Sequence, residues 1–349
     1  MTTPNTHGTD PHALNPEMKL DAAAFGPAPA KKSIRDGFGK ALLELGEKDR
    51  LVWALSADVS ESSRTHWFAE KFPERFVQCG VAEQNMAGVA AGLASCGKKP
   101  FISAFAAFSP GRNFDQIRVS ICYNNSDVKI HASHAGLAVG PDGASHQILE
   151  DIGMMRMLPN MRVVVPCDIE EARKATFALA VSPGPAYLRT SRENCPVMTT
   201  KDTPFVLGKA NVLCDGKDVA IFACGQQVFE SMKAAEALAA KGVSVAVINM
   251  HTIKPLDAGA MLAYAKKCRL LVSVEDHQID GGLGGAIAEA VSTPHAASGF
   301  QHPVRLLRLG MKDSFGESGN AAELYAKYGF DAAGIAKAVL EAQGSGKHD

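Results

Sequence analysis

Residues 75–92 run Arg75-Phe76-Val77-Gln78-Cys79-Gly80-Val81-Ala82-Glu83-Gln84-Asn85-Met86-Ala87-Gly88-Val89-Ala90-Ala91-Gly92, and their reading decides the fold. Arg75 to Cys79 is a short strand, and the small and apolar residues from Glu83 to Ser95 continue as a helix. A strand, a turn and a helix opening on a carboxylate make one unit of an α/β sheet. A glutamate in a first helical turn ordinarily does no more than offset the helix dipole. The glycines make this helix unusual. Gly80, Gly88 and Gly92 lie within or beside it, and glycine inside a helix costs about 1 kcal/mol against alanine, so something is expected to pack very closely there.

Outward in both directions the alternation repeats. Towards the N-terminus, Ser33-Ile34-Arg35-Asp36 opens an amphipathic helix through Phe38, Ala41, Leu42 and Leu45, and Leu51 to Leu55 is a buried strand with Asp58 just beyond its end. Towards the C-terminus, strands are expected near 100–105, 128–132, 161–165 and 186–188, and helices near 114–123, 149–158 and 169–181. A Gly-rich loop runs from His134 to His146. Residues 192–204 are polar and proline-bearing, as suits a linker. A second unit starts near Lys209, with strands expected near 219–223, 244–248, 270–274 and 304–309 and helices near 226–241, 257–268, 281–291 and 331–342. Residues 1–30 are rich in Pro, Thr, Asn and Ala without a period, and are expected to form a flexible arm. The predicted class is α/β: two doubly wound units with mainly parallel sheets, over 31–195 and 205–345.

The 349 residues carry a formal net charge of -1, and Lys and Arg are not gathered into a stripe, so the electrostatic footprint of a nucleic-acid binder is missing. A small anionic substrate remains compatible, since a few placed arginines hold a phosphate without moving net charge. No stretch reaches the roughly 18–20 apolar residues that span a bilayer, so no membrane role is expected. The N-terminal residues lack a secretory pattern. Eight cysteines stand without a C-x-x-C pair, and most sit in apolar runs such as Phe222-Ala223-Cys224. Buried reduced thiols suit a cytoplasmic location, and neither zinc ribbons nor iron–sulfur clusters find support.

Two glycine-rich stretches invite simpler readings. Gly281-Gly282-Leu283-Gly284-Gly285 follows a strand and opens a helix, but it is not G-x-G-x-x-G in register, and close helix–strand packing explains it. The loop between His134 and His146 holds Asp142, yet its spacing is no zinc signature and a third ligand is not evident. No metal site is assigned to this chain.

Several segments together resemble the transketolase family. Arg75 to Gly88 is similar to that family's activating-glutamate motif, and Ser56-Ala57-Asp58 followed by Ser62 is similar to its S-A-D-L-x-x-S turn. His134-Ala135-Gly136-Leu137-Ala138-Val139-Gly140-Pro141-Asp142-Gly143-Ala144-Ser145-His146 resembles its substrate loop, and Ser191-Arg192 its S-R-Q step. The four fall in the family's order, and the resemblance covers roughly residues 31–345.

The resemblance implies thiamine diphosphate, whose reactive carbon the protein must generate and orient. Glu83 is then the carboxylate that bonds the aminopyrimidine ring, a role burial favours by disfavouring an isolated charge. Phe108 is implied as the stacking face, Phe105 as stacking face or core alike, and Asp58 as a further cofactor contact. Arg35, Arg192, Ser62 and His134 match positions that hold a sugar phosphate. Asp142 and His146 match residues at the ketose hydroxyls, and His146 and His134 can relay protons there. Ala135 stands where the family often has an acidic or hydroxyl residue, which bears on the donor.

The family's diphosphate-binding domain, with its G-D-G…N signature for Mg2+ or Ca2+, has no counterpart before residue 31. The resemblance therefore implies the C-terminal subunit of a split transketolase, transferring a two-carbon ketol unit from a ketose phosphate to an aldose. A separate N-terminal subunit would carry the metal ligands, with two of each chain in the assembly. The alternatives are a deoxyxylulose-phosphate synthase-like subunit, a 2-oxo acid dehydrogenase beta-like subunit, and a non-catalytic partner-binding relative.

Overall fold

Whole strands, rather than alternate residues, are buried in both units. Lys129–Ser133, Val219–Ala223 and Val245–Asn249 are covered along their full length, which places them inside parallel sheets with helices on both faces. The computed structural model describes residues 14–292 and 304–344. Residues 1–13 of the expected arm and residue 345 lie outside the described residues.

Numbered along the chain, the first strands are β1 (Lys31–Ser33), β2 (Val52–Ser56), β3 (Phe76–Gln78), β4 (Lys99–Phe105), β5 (Lys129–Ser133), β6 (Arg162–Val164) and β7 (Ala186–Arg189). There follow β8 (Asn194–Pro196), β9 (Asn211–Cys214), β10 (Val219–Ala223), β11 (Val245–Asn249), β12 (Thr252–Lys254), β13 (Leu270–Gln278) and β14 (Arg305–Met311). The first sheet has the order β12-β6-β7-β5-β4-β2-β3 and the second β14-β13-β10-β11-β9. All neighbours are parallel except the edge pairs β12–β6 and β11–β9. The α/β class with mainly parallel sheets is as the alternation predicted.

The two units share their interior. One apolar cluster runs from Leu55, Met86 and Ile130 through Phe222 and Ile248 to Leu283, and β12 leaves the second unit to extend the first sheet. The helix Ile34–Lys48 crosses the helix Ile169–Val181 at Gly37, where a β-carbon would stand 2.1 Å from the Ile169 carbonyl oxygen. Only glycine allows that approach.

Three expectations are corrected. Residues 14–30 are not a loose arm. Asn15 donates its backbone N–H to Leu213 O at 2.8 Å, Ala24 is buried, and Phe25 stacks on Phe229 at 6.2 Å; the apolar Leu14, Met18, Leu20 and Phe25 pack on the second unit's core. The stretch 192–204 is also tied down: β8 pairs with β1, and the buried Asp168 carboxylate accepts from the backbone N–H groups of Met198 and Thr199. The helix expected over 114–123 is α-helical only at Phe114–Gln116 and π-helical over Ile117–Tyr123.

Gly281–Gly285 has its own occupant. The Glu275 carboxylate accepts from the N–H groups of Leu283 (2.6 Å) and Gly284 (2.8 Å) at the start of the helix Leu283–Ser292. A β-carbon on Gly282 would lie 1.9 Å from Glu275 Oε2, so the glycine serves close packing.

Candidate active site

The parallel strands of the first sheet end together, and the crevice beyond their carboxyl ends is where such sheets place chemistry. Asp58 follows β2, the helix Glu83–Ser95 follows β3, Phe105 and Phe108 close β4, and His134 follows β5. Glu83 is the first residue of its helix and only 4% exposed. Its carboxylate takes hydrogen bonds from Arg112 Nη1 at 3.1 Å to Oε1 and 3.3 Å to Oε2, and its carbonyl oxygen accepts from Asn113 Nδ2 at 3.1 Å. The Arg112 guanidinium carbon also lies 4.0 Å from the centre of the Phe108 ring. A planar cationic donor group is thus held by a carboxylate and an aromatic face at once.

A row of rings continues from there. Phe108 stacks on Phe105 at 6.1 Å, Phe105 on His134 at 3.8 Å, and His146 meets Phe108 edge-on at 5.3 Å. The buried His134 sits at φ 56°. Burial, reinforced by Arg35, Arg192 and Arg64, pushes its pKa down to about 3, so the ring is neutral at neutral pH. Arg35 Nη1 lies 3.3 Å from His134 Nε2. Because arginine can only donate, Nε2 accepts, and the ring proton sits on Nδ1, directed at Ser133 Oγ 3.0 Å away.

Arg35 gathers Ser62, His134 and Arg192 around its guanidinium. It donates to Ser62 O at 2.7 Å and to Arg192 O at 3.0 Å, while burial, with Arg64 nearby, lowers its pKa to about 10. Arg192 in turn donates to Val139 O at 2.8 Å and pairs with Asp142 at 3.2 Å. The half-buried His146 bonds Ser145 Oγ through Nδ1 at 2.9 Å. Arg35, Ser62, His134, Arg192 and Asp142 form one group, and Glu83, Phe105, Phe108 and His146 meet it through the ring row. Asp58 stands aside: it is exposed at φ 61°, and its backbone N–H is held by Gln78 Oε1 at 2.8 Å.

Two neighbours were not singled out in the sequence. Arg112 lies in the turn before a helix, 29 residues from its partner, and no spacing rule links them. Asp276 reaches the His134–His146 loop from β13, where its Oδ1 accepts from the Leu137 N–H at 2.9 Å. Its signal was present: Glu275-Asp276-His277 is an ionisable triplet ending the apolar run Leu270–Val274. Among the described residues no group of three or more His, Cys, Asp or Glu side chains is arranged to hold a metal ion. Nor, among them, is any helix long and apolar enough to cross a membrane.

Fold and site define a two-unit α/β chain built around a buried carboxylate beyond the strand ends. Residues 30–198 match the transketolase pyrimidine binding domain and residues 208–335 the transketolase C-terminal domain. The chain belongs to the transketolase family. It is 44% identical, over 89% of its length and 96% of the relative's, to the provisionally named transketolase C-terminal section of Methanocaldococcus jannaschii. It is 38% identical, over 88% and 97%, to an apulose-4-phosphate transketolase subunit of Phocaeicola vulgatus. Among solved structures, a split-gene transketolase captured as an inactive β4 tetramer superposes with a TM-score of 0.80 at 42% identity, covering 88% of this chain and 97% of that one. The likeness is thus to C-terminal subunits of split transketolases.

Proposed function

We propose that this chain is the pyrimidine-holding half of a thiamine-diphosphate-dependent transketolase, moving a two-carbon ketol unit from a ketose phosphate to an aldose. The observation that carries the reading is the pairing of buried Glu83 with the Phe108 face. These two already hold the Arg112 guanidinium, a flat group that donates hydrogen bonds and carries positive charge. A protonated aminopyrimidine is flat, donating and cationic as well, so the residues present fit it.

When bound, thiamine diphosphate supplies the carbon nucleophile that two-carbon transfer requires. Glu83 would share a proton with the pyrimidine ring nitrogen, Phe108 would stack on the ring and Phe105 would back Phe108. Asp58, at the rim, would meet the cofactor from the side of β2. Arg35 and Arg192 would hold the sugar phosphate beside Ser62. Asp142 and His146 would meet the hydroxyls near the reacting carbon, with the half-buried His146 moving the proton. His134, neutral and tied through both nitrogens, orients rather than titrates.

The diphosphate and its Mg2+ or Ca2+ would be held by an N-terminal subunit, in an assembly with two of each chain. The relatives' own names, one a C-terminal section and the other a transketolase subunit, support a partner chain. So does the helix Glu83–Ser95, where Gly88 and Gly92 face open space with nothing within 4 Å of an added β-carbon. The close approach those glycines imply is made by no described residue of this chain. All eight cysteines are free, which supports a reducing, cytoplasmic setting.

The experiment is reconstitution. Purified chain and an N-terminal subunit are assayed alone and mixed, with ketose phosphates and with pyruvate as donors. Ketol transfer from a ketose phosphate in the mixture alone supports the reading. Turnover of pyruvate instead would move the chain to the synthase or dehydrogenase alternatives, and cofactor binding without any turnover to the non-catalytic one.

A further inference from the structure

The loop from His134 to Gln147 carries two of the residues given to the sugar, Asp142 and His146, yet much of what shapes it comes from the second unit. Asp276, buried at 6% exposure, accepts the Leu137 N–H through Oδ1 at 2.9 Å, and its Oδ2 lies 2.9 Å from the Tyr325 hydroxyl. Gly136 has φ 78°, and a β-carbon there would stand 2.1 Å from Asp276 Oδ2. The loop backbone therefore lies flat on this carboxylate. At the other end, Gln147 Nε2 donates to Gly140 O at 3.2 Å within the loop and to Glu317 O at 2.9 Å in the second unit. A β-carbon on Gly143 would meet Ser318 Oγ at 2.5 Å. The glycines of the substrate loop are shaped to the second unit as a cast is to its mould.

The mould is itself fixed. Arg189 Nη2 donates to Asp276 O at 2.8 Å, its Nε donates to Asp151 Oδ2 at 2.7 Å, and the Tyr187 hydroxyl donates to the same oxygen at 2.7 Å. We propose that the second unit is the template for the donor-binding loop and that Asp276 is its positioning residue, setting where Asp142 and His146 stand against the ketose. This rests on the reading of the loop as the sugar site. Without that acceptor the buried Leu137 N–H is left unpaired, and a glycine-rich loop loses the contact that selects its one conformation.

The test uses the assembled two-subunit enzyme with xylulose 5-phosphate as donor probe. Asp276→Ala is expected to raise the donor KM about tenfold or more, to lower kcat alongside it because His146 is displaced too, and to leave the cofactor Kd unchanged. Amide exchange over residues 134–147 should rise in that variant while β10 and β13 keep their protection. Asp276→Asn should restore most of the KM. Its amide oxygen still accepts from Leu137, and its N–H can face the Tyr325 oxygen, whose own hydrogen then turns to Gln226 Oε1, 3.0 Å away. Should the alanine variant not fold, Tyr325→Phe removes the hydroxyl's contacts to Asp276 Oδ2 and Gln226 Oε1, leaves the Leu137 N–H bonded to Oδ1, and is expected to raise KM several-fold. An unchanged donor KM, a loss confined to kcat, or a matching loss of cofactor affinity would overturn the inference. A wild-type assembly that binds no cofactor and turns over no ketose defeats the site reading instead, and the exchange measurement then decides alone whether Asp276 holds the loop.

Discussion

Glu83 is bonded through both carboxylate oxygens to one guanidinium that also covers the Phe108 ring. If the aminopyrimidine uses the same oxygens and the same face, Arg112 must leave before the cofactor can bind. Arg112 is half exposed, so the pair is screened and breaking it costs about 1 kcal/mol. Arg112→Ala is therefore predicted to tighten thiamine diphosphate binding by about fivefold in the assembled enzyme, measurable by calorimetric titration. A weaker Kd in the variant would instead make Arg112 a cofactor ligand. Glu83, Phe108 and the loop histidines could be proposed from the sequence because each lies in a contiguous motif. Arg112 was not, because its meaning depends on a contact across the fold.

Helices report on their surroundings through their glycines. Gly37 and Gly88 both sit inside helices, and their prospects under substitution are opposite. Gly37→Ala drives a β-carbon to 2.1 Å from the Ile169 carbonyl oxygen, a backbone atom that cannot turn aside, and is predicted to destabilise the chain by about 1–3 kcal/mol. Gly88→Ala meets nothing and is predicted to stabilise the isolated chain by about 0.5–1 kcal/mol. The same Gly88 variant should weaken assembly with the N-terminal subunit, if that helix is where the subunit docks. Urea midpoints of the isolated chain, set beside sedimentation of the mixture, separate the two effects; equal behaviour of the two variants in the isolated chain would contradict the packing described.

Long buried strands and amphipathic helices followed from hydrophobic runs, which is why β4, β5, β10 and β11 lie within a residue or two of expectation. The pairs β1–β8 and β6–β12 did not follow. The short strands β1, β8 and β12 exist because a distant segment offers them hydrogen bonds, and nothing within three residues announces that segment, whereas β3 and β6 were legible from their apolar runs.

At the scale of the whole molecule, the two units meet through buried charge as well as apolar surface. Glu171 accepts from Cys167 N–H at 2.7 Å in the first unit and from Asn249 Nδ2 at 2.8 Å in the second. Burial, with Asp168 beside it, raises its pKa from 4.5 to about 7. The folded state then holds a proton that the unfolded chain releases above pH 4.5. This group's contribution is fully present below about pH 4.5 and is lost as pH rises through 7, a swing of about 3 kcal/mol. Glu171→Gln removes the titration, and the introduced amide can donate to Asn249 Oδ1, a buried oxygen with no other partner, once the Asn249 amide turns over. The stability of wild type relative to the variant, read from Tm, should fall steadily between pH 4.5 and 7; a flat difference would refute the linkage. The union of the units was poorly legible in the sequence, since residues 14–30 and 192–204 read as arm and linker by composition although both are bonded into the second unit or the helix beside it.

As proposed, one edge of the cofactor site lies in this chain and the other in a partner. The most direct measurement is ketol transfer by wild type and Glu83→Gln, each alone and each mixed with the N-terminal subunit at saturating cofactor. The account predicts transfer only in the wild-type mixture, with the Glu83→Gln chain folded, bound to its partner and at least a hundredfold slower. Normal turnover by the chain alone, or near-normal turnover by the Glu83→Gln mixture, would contradict it.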